Sequence, residues 1–441
     1  KKTGQTAEFQ PDYLARRLCR QVITMKLRFF ALLFLAGAIS LVQANSHTIL
    51  MADAWLDVKS GQLNYPGNIV LCGSRISAIN PDTLPEGVTV HLPGHTLLPG
   101  LIDCHTHLTR NIVPGWREQA VRESEADWAL RGVANAQRTL LAGFTTVRDL
   151  GSYRFADLSL MRAIDRGWVD GPHMISCGHA ICATGGHCDF SGYVHGTLVP
   201  RPEYGHADGV AEILKAVRYQ IRMGARVIKV TASGGAMSDG TLEGNISQDE
   251  LNALVQEAHR FGLRVAAHAH SSSSIKSAVK AGVDSIEHGF LIDQEAIDMM
   301  LAHGTWLVPT YSISHMLRDI ELSPAGVTNA TRLANEVTKR LRQAVSSGVK
   351  FAFGTDAAVL PHGRNAEEFG RLVNELGMTP LQALQSATIN ASDLLDLPTR
   401  GQLLPGYEAD IVATLGNPLE DISLLEQIGF VMKSGRIYLQ L

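Results

Sequence analysis

The chain has 441 residues, of which 45% are hydrophobic and 19% charged, and a formal net charge of −4. That length and apolar content suffice for one large α/β domain with a smaller companion, and they exclude a disordered or collagen-like chain. No run of Lys and Arg and no basic stretch interleaved with aromatics is present, so nucleic acid is set aside as a partner.

The N-terminal end reads as an address rather than as fold. Met25-Lys26-Leu27-Arg28 is a basic start, Phe29 to Ile39 an apolar run, and Val42-Gln43-Ala44 the kind of site a signal peptidase reads. This predicts a signal peptide over 25–44 and an exported product, periplasmic or extracellular. The apolar run is shorter than the roughly 20 residues that span a bilayer, so no stable membrane insertion of the mature chain is expected. Residues 1–24 precede the candidate initiator Met25 and read as a non-native extension. Export permits disulfides, yet Cys72, Cys104, Cys177, Cys182 and Cys188 show no regular pairing. Cys182 and Cys188 could close a short loop, and buried free thiols are the alternative.

From Thr48 to Leu98 short apolar runs separated by Gly and Pro turns predict strands, among them Asn68–Leu71, Arg75–Ile79 and Val88–Leu92. Ala409–Thr414 and Gly429–Arg436 read the same way at the far end of the chain. Residues 45–98 and 399–441 are therefore expected to form a β-sandwich domain built from both chain ends. Between them, in 99–398, apolar runs alternate with helical patterns. Candidate strands are Leu101–Cys104, Thr145–Arg148, His173–Cys177, Val227–Thr231, Arg264–Ala267, Ser285–Glu287, Trp306–Pro309 and Phe351–Gly354. Helices are expected at Asp208–Met223, Gln248–Phe261 and Arg332–Ser346, where apolar residues recur at three and four spacing. Eight such repeats over about 255 residues predict an α/β fold of the (β/α)8 TIM-barrel type.

In such a barrel the reactive groups sit at the C-terminal ends of the strands. His105 and His107 follow the first strand; being two apart in extended chain they share a face and can point at one metal ion. Taken alone, a His-X-His pair means little in a chain with 17 histidines. Further along, Lys229 stands inside the fourth strand, His268 ends the fifth, His288 follows the sixth and Asp356 the eighth. Chance placement of all six at strand ends is improbable. A Lys flanked by Val227, Ile228 and Val230 incurs a desolvation penalty if charged and unpaired. Two readings stand: a lysine paired with a carboxylate, or one carboxylated by carbon dioxide to give an anionic ligand able to bridge two metals.

At this point the chain resembles the amidohydrolase superfamily, and within it the imidazolonepropionase-like metal-dependent dipeptidases. The resemblance covers about residues 48–441 and rests on Leu98-Pro99-Gly100-Leu101-Ile102-Asp103-Cys104-His105-Thr106-His107, Gly143–Asp149, Thr184-Gly185-Gly186-His187, Val227–Gly235, Ala266–His270, Ile286–Gly289 and Phe353–Asp356. It implies two divalent ions, zinc above all: His105, His107 and Asp356 would hold one, His268 and His288 the other, with carboxylated Lys229 as the bridge. Metals of this kind lower the pKa of bound water and polarise a carbonyl oxygen. Asp356 would also move the proton to the leaving amine, His187 would stabilise the oxyanion, and His270 would help bind substrate. Ser233 and Gly234 offer donors for a substrate carboxylate, and Arg148 with Asp149 is either a structural ion pair or a binding element.

The implied function is cleavage of the amide bond of a dipeptide or N-acyl amino acid, with a C-terminal Arg or Lys expected from Leu360–Ala366. Arg364 in that stretch would repel a basic side chain, an effect that Asp189, Asp239 and Glu243 could offset. The alternatives are a prolidase-like enzyme for C-terminal Pro or apolar residues, a mononuclear deaminase, which needs no strand-four Lys, and a non-catalytic secreted binding protein. A homo-oligomer is a further expectation.

Overall fold

The structure, a computed structural model, describes residues 47–189, 193–235, 242–317, 320 and 322–441. The signal-peptide reading over 25–44 and Asp239 lie outside the described residues.

The strands in chain order are β1 (His47–Asp57), β2 (Gln62–Asn64), β3 (Gly67–Cys72), β4 (Arg75–Ile79), β5 (Gly87–Pro99), β6 (Leu101–Thr106), β7 (Phe144–Asp149), β8 (His173–Ser176), β9 (Ile228–Thr231), β10 (Val265–Ala269), β11 (Ser285–His288), β12 (Trp306–Val308), β13 (Ile411–Leu415), β14 (Phe430–Lys433) and β15 (Arg436–Gln440). In place of two sheets, both chain ends enter one eight-stranded sheet, in the order β15-β14-β13-β5-β1-β3-β4 with β2 beside β1. The sandwich expected from the sequence is corrected accordingly. The sheet folds over on itself: Ile76 N–H donates to Tyr407 O at 2.9 Å and Ala409 N–H to Ser74 O at 2.7 Å, so β4 meets the segment that leads into β13. Inward residues from β1, β3, β4, β5, β13 and β14, among them Leu50, Ile69, Ile76, Leu97, Ile411 and Phe430, share one buried cluster. This alternation of buried and exposed positions is the period-2 signal that made these strands legible.

The middle of the chain forms two parallel sheets, β6-β7-β8 and β12-β11-β10-β9. Helices connect successive strands, as parallel pairing requires: Glu125–Leu141, Ala156–Asp165, Val210–Met223, Gln248–Arg260, Ser272–Ala281, Gln294–His303 and Pro324–Ser346. Several begin on side-chain caps, Ser124, Ser247, Ser271, Asp293 and Ser323, which satisfy first-turn N–H groups. The helix expected from Arg332 begins at Pro324, because Ser323-Pro324 supplies an N-cap and a first-turn proline ahead of the apolar stripe.

Backbone bonds join the two sheets at both seams. Arg226 N–H donates to Ser176 O at 2.9 Å and Ile181 N–H to Lys229 O at 2.8 Å on one side. On the other, the stretch 350–357 lies between β12 and β6: Ala352 N–H donates to Leu307 O at 3.0 Å, Cys104 N–H to Phe353 O at 2.8 Å and Asp356 N–H to His105 O at 2.8 Å. The expected eighth strand, Phe351–Gly354, thus makes an isolated bridge with Leu307 rather than a ladder, because the extended run is short and turns at Asp356, whose φ is 55°. Among the described residues no helix is long and apolar enough to cross a membrane.

Gly100 connects the two architectures. It separates β5 of the terminal sheet from β6, and a Cβ there would lie 2.1 Å from Thr145 Oγ1.

Candidate active site

The C-terminal end of β6 carries His105 and His107, whose Nε2 atoms lie 3.6 and 3.2 Å from Asp356 Oδ1. The other ring nitrogen of each is engaged: His105 Nδ1 is 2.8 Å from Glu287 Oε2 and His107 Nδ1 is 2.9 Å from Gly151 O. Both partners only accept, so both Nδ1 atoms carry the proton and both Nε2 lone pairs face Asp356. Burial pushes His105 down to about 4, which keeps the ring neutral. Asp356 has the opposite problem: burial would raise it, but His105, His107 and Lys229 hold it well below the usual carboxylate range.

A second cluster consists of His268, His270 and His288. His288 Nδ1 lies 2.7 Å from Thr310 Oγ1, and that hydroxyl donates to Pro309 O at 2.8 Å, so His288 Nδ1 is the donor and Nε2 is free to ligate. His268 Nε2 donates to Gly234 O at 3.2 Å, which leaves its Nδ1 lone pair. The rings pack closely, with centroids 4.6 Å apart for His268 and His288 and 5.0 Å for His270 and His288. Burial drives His268 and His288 well below the usual imidazole value and His270 to about 3. His288, Thr310 and Asp356 take φ values of 70°, 45° and 55°, strained for side-chain-bearing residues and characteristic of functional sites.

In each cluster the ligand atoms lie within 4.8 Å of one another. Neutral imidazoles with one carboxylate form a donor set that fits zinc-type ions. Lys229, on β9 and almost wholly buried, acts electrostatically on His105 and Asp356 of the first cluster and on His268, His270 and His288 of the second. Burial lowers its pKa. All of this opens on a cavity of about 360 Å³. Its wall includes His105, His107, His187, Lys229, His268, His288 and Asp356, and farther out Trp116, Tyr153 and Tyr204.

A protein-family model described as the amidohydrolase family matches residues 96–438. The chain belongs to the amidohydrolase family. Among curated relatives, the ochratoxinase of Aspergillus niger is 36% identical over 374 residues, covering 78% of this chain and 75% of that protein. Among solved structures, a Xaa-Pro dipeptidase with methionine bound in its active site is 36% identical with a TM-score of 0.84, covering 89% of this chain and all of that one. A prolidase complexed with N-methylphosphonate-L-proline is 31% identical with a TM-score of 0.81, covering 90% and 100%. This amidohydrolase is a metal-dependent amide hydrolase of the dipeptidase-like group.

Other residues singled out in the sequence fall in varied places within the amidohydrolase. His187 reaches the cavity wall, stacked on His268 at 4.1 Å, with Nδ1 buried and without a hydrogen-bond partner. His270 joins the second cluster and is not on the cavity wall. Ser233 and Gly234 also lie off the wall; Ser233 Oγ donates to Gly234 O and accepts from His270 N–H. Arg148 pairs with Glu287 at 2.8 Å rather than with Asp149, whose carboxylate accepts Leu108 N–H at 2.6 Å. Arg364 pairs with Glu367 and is not on the wall, so its expected repulsion of substrate falls away. Asp189 is on the wall, 3.3 Å from His206, whereas Glu243 is not. All five described cysteines, Cys182 and Cys188 included, are free thiols.

Two supporting acids escaped the sequence reading. Glu287 is fully buried and held at about 2: burial would raise it, but Arg148 and the His105 hydrogen bond outweigh that. Asp103, pushed up to about 6 by burial, accepts from His105 N–H, Thr355 Oγ1 and Asn365 Nδ2 and so ties β6 to the Asp356 loop. The available signal was an acid inside an apolar run, which must be paired when buried.

Proposed function

We propose that the chain is a binuclear hydrolase of dipeptides or N-acyl amino acids, built on a (β/α)8 barrel in which 350–357 serves as the eighth strand. The observation that carries the reading is the convergence of His105, His107, Asp356, His268, His288 and the buried Lys229 on a single cavity. His105, His107 and Asp356 would hold one divalent ion and His268 and His288 the other, zinc being the best match to the donors. When bound, such ions supply Lewis acidity and a water acidified to near neutral pH. The lowered pKa of Lys229 favours the free amine, the form that adds to carbon dioxide, and the resulting carbamate would bridge the clusters.

The chain's own residues complete the chemistry. Asp356 stays ionised and can take a proton from the nucleophilic water and deliver it to the departing nitrogen. His187, neutral because burial pushes it down to about 4, has an unpartnered ring nitrogen on the cavity wall and would steady the oxyanion. His270, at the second cluster, would orient the substrate. Export of the mature chain, read from 25–44, belongs to the same proposal.

For the substrate, the wall bears Arg110, Arg117, Arg201 and Arg154, the last 4.0 Å from Glu125, and among the described residues its acids are Asp356 and the His206-paired Asp189. That charge balance favours a C-terminal residue without a positive charge, Pro or apolar, attached to an anionic carboxylate. The Arg/Lys reading, drawn from Leu360–Ala366, is second, and Asp189 is the acid offered for it that lines the wall among the described residues. A zinc-loaded preparation assayed against a dipeptide library varied at the C-terminal position separates them. The expected result is kcat/KM at least about tenfold higher for Pro and apolar residues, a difference of about 1.4 kcal/mol. The reverse order restores the basic reading; ammonia release from an aminated heterocycle without dipeptide cleavage points to the deaminase; no turnover of any dipeptide refutes the dipeptide reading.

A further inference from the structure

Behind the first cluster lies a set of buried groups that do not themselves line the cavity. Glu287 on β11 accepts from His105 Nδ1 at 2.8 Å with Oε2, and with Oε1 from Arg148 Nη2 at 2.8 Å and Ser285 Oγ at 2.5 Å. Arg148 on β7 donates from Nε to Cys104 O at 2.6 Å and from Nη1 to Ser285 Oγ at 3.0 Å. Cys104 is the residue before His105, so the guanidinium grips the strand that carries the histidine and the carboxylate that orients its ring. Three strands, β6, β7 and β11, are cross-linked by groups at most 1% exposed.

This support is unequal among the imidazoles. His107 leans on a backbone carbonyl, His268 on another and His288 on a hydroxyl, all neutral. Only His105, among these four, rests the ring nitrogen turned away from its cluster on a carboxylate. A charged acceptor fixes the tautomer, aims Nε2 and makes the ring a stronger donor to a metal. We infer that the Arg148–Glu287 pair is a positioning device that sets metal affinity at the His105, His107 and Asp356 cluster and leaves the second cluster unaffected. The inference rests on the proposal that these clusters hold metal ions.

The test measures zinc dissociation from the full-length protein by competition with a chelator, alongside the melting temperature and the absorption of the cobalt-substituted form. Glu287→Gln should weaken the first site about 10- to 100-fold, change the cobalt spectrum of one ion and leave the other ion in place. Because this variant strands a buried guanidinium, the double variant Arg148→Met/Glu287→Gln is measured with it. The double variant should regain much of the melting temperature and none of the affinity. Recovery of both together would make the pair merely structural and overturn the inference, as would zinc affinity within threefold of the parent in either folded variant. A parent protein that binds no zinc or cobalt would instead overturn the metal reading itself, and the inference with it.

Discussion

The two histidine clusters at the strand ends are built on different principles. The first contains its own anion, Asp356, and is braced by charged or strongly polar groups: Glu287 with Arg148 behind His105, and Asp103 joining β6 to Thr355 and Asn365. The second is imidazole throughout, packed ring against ring and braced by a hydroxyl and a carbonyl. A divalent ion in the first cluster meets a compensating charge; one in the second meets only neutral donors. The lesson concerns Lys229. An ammonium at Lys229 would repel a cation there and a neutral amine would add no charge, whereas a carbamate would supply the anion that the second cluster lacks.

Lys229→Ala attacks that contrast most directly. Turnover is expected to fall on the order of 10³-fold or more, with metal content dropping toward one ion per chain and the first cluster keeping its ion. Bicarbonate with a short carboxylic acid should restore part of the rate; full activity in the variant would refute the carbamate. His270→Ala sharpens the second cluster: kcat/KM should drop by about 10- to 100-fold through a higher KM, with both ions retained. An ion lost by elemental analysis would make His270 a ligand instead. The smallest effect belongs to Thr310→Ala, which removes the neutral partner of His288. One hydrogen bond is worth about 1 kcal/mol, so affinity at the second cluster should weaken by about fivefold, less than the first cluster loses when Glu287 becomes Gln. Equal losses would erase the distinction between charged and neutral support.

Much of the cavity's polar lining was visible in the sequence because each member interrupts an apolar strand or directly follows one: Lys229 between Ile228 and Val230, His268 after Ala267, His105 after Cys104. Local periodicity reports such breaks. It does not report which strands meet across an interior, so the Glu287 contact with His105, 182 residues away in the chain, stayed hidden although Glu287 stands beside a histidine that was recognised. Arg148 with Asp149, read as either an ion pair or a binding element, proves to be neither for the same reason, since the partner of Arg148 is the distant Glu287. Alternation of inward and outward residues locates strands but says nothing of sheet number, hence the single folded-over sheet where two were expected. The short 351–354 run carried an apolar signal, and its length together with the left-handed turn at Asp356 limits its pairing.

The passage of β5 through Gly100 into β6 has a consequence for the order of biosynthesis. Leu98 and Pro99 pair with Val412 and Ile411, so β5 receives that neighbour only after the whole run of helices and strands between them has been made. At about 5–20 residues per second that delay amounts to tens of seconds. A nascent chain therefore exposes one edge of β5 throughout that interval, whereas β6, which carries His105, finds its own neighbours, β7 and 350–357, in chain that is made earlier.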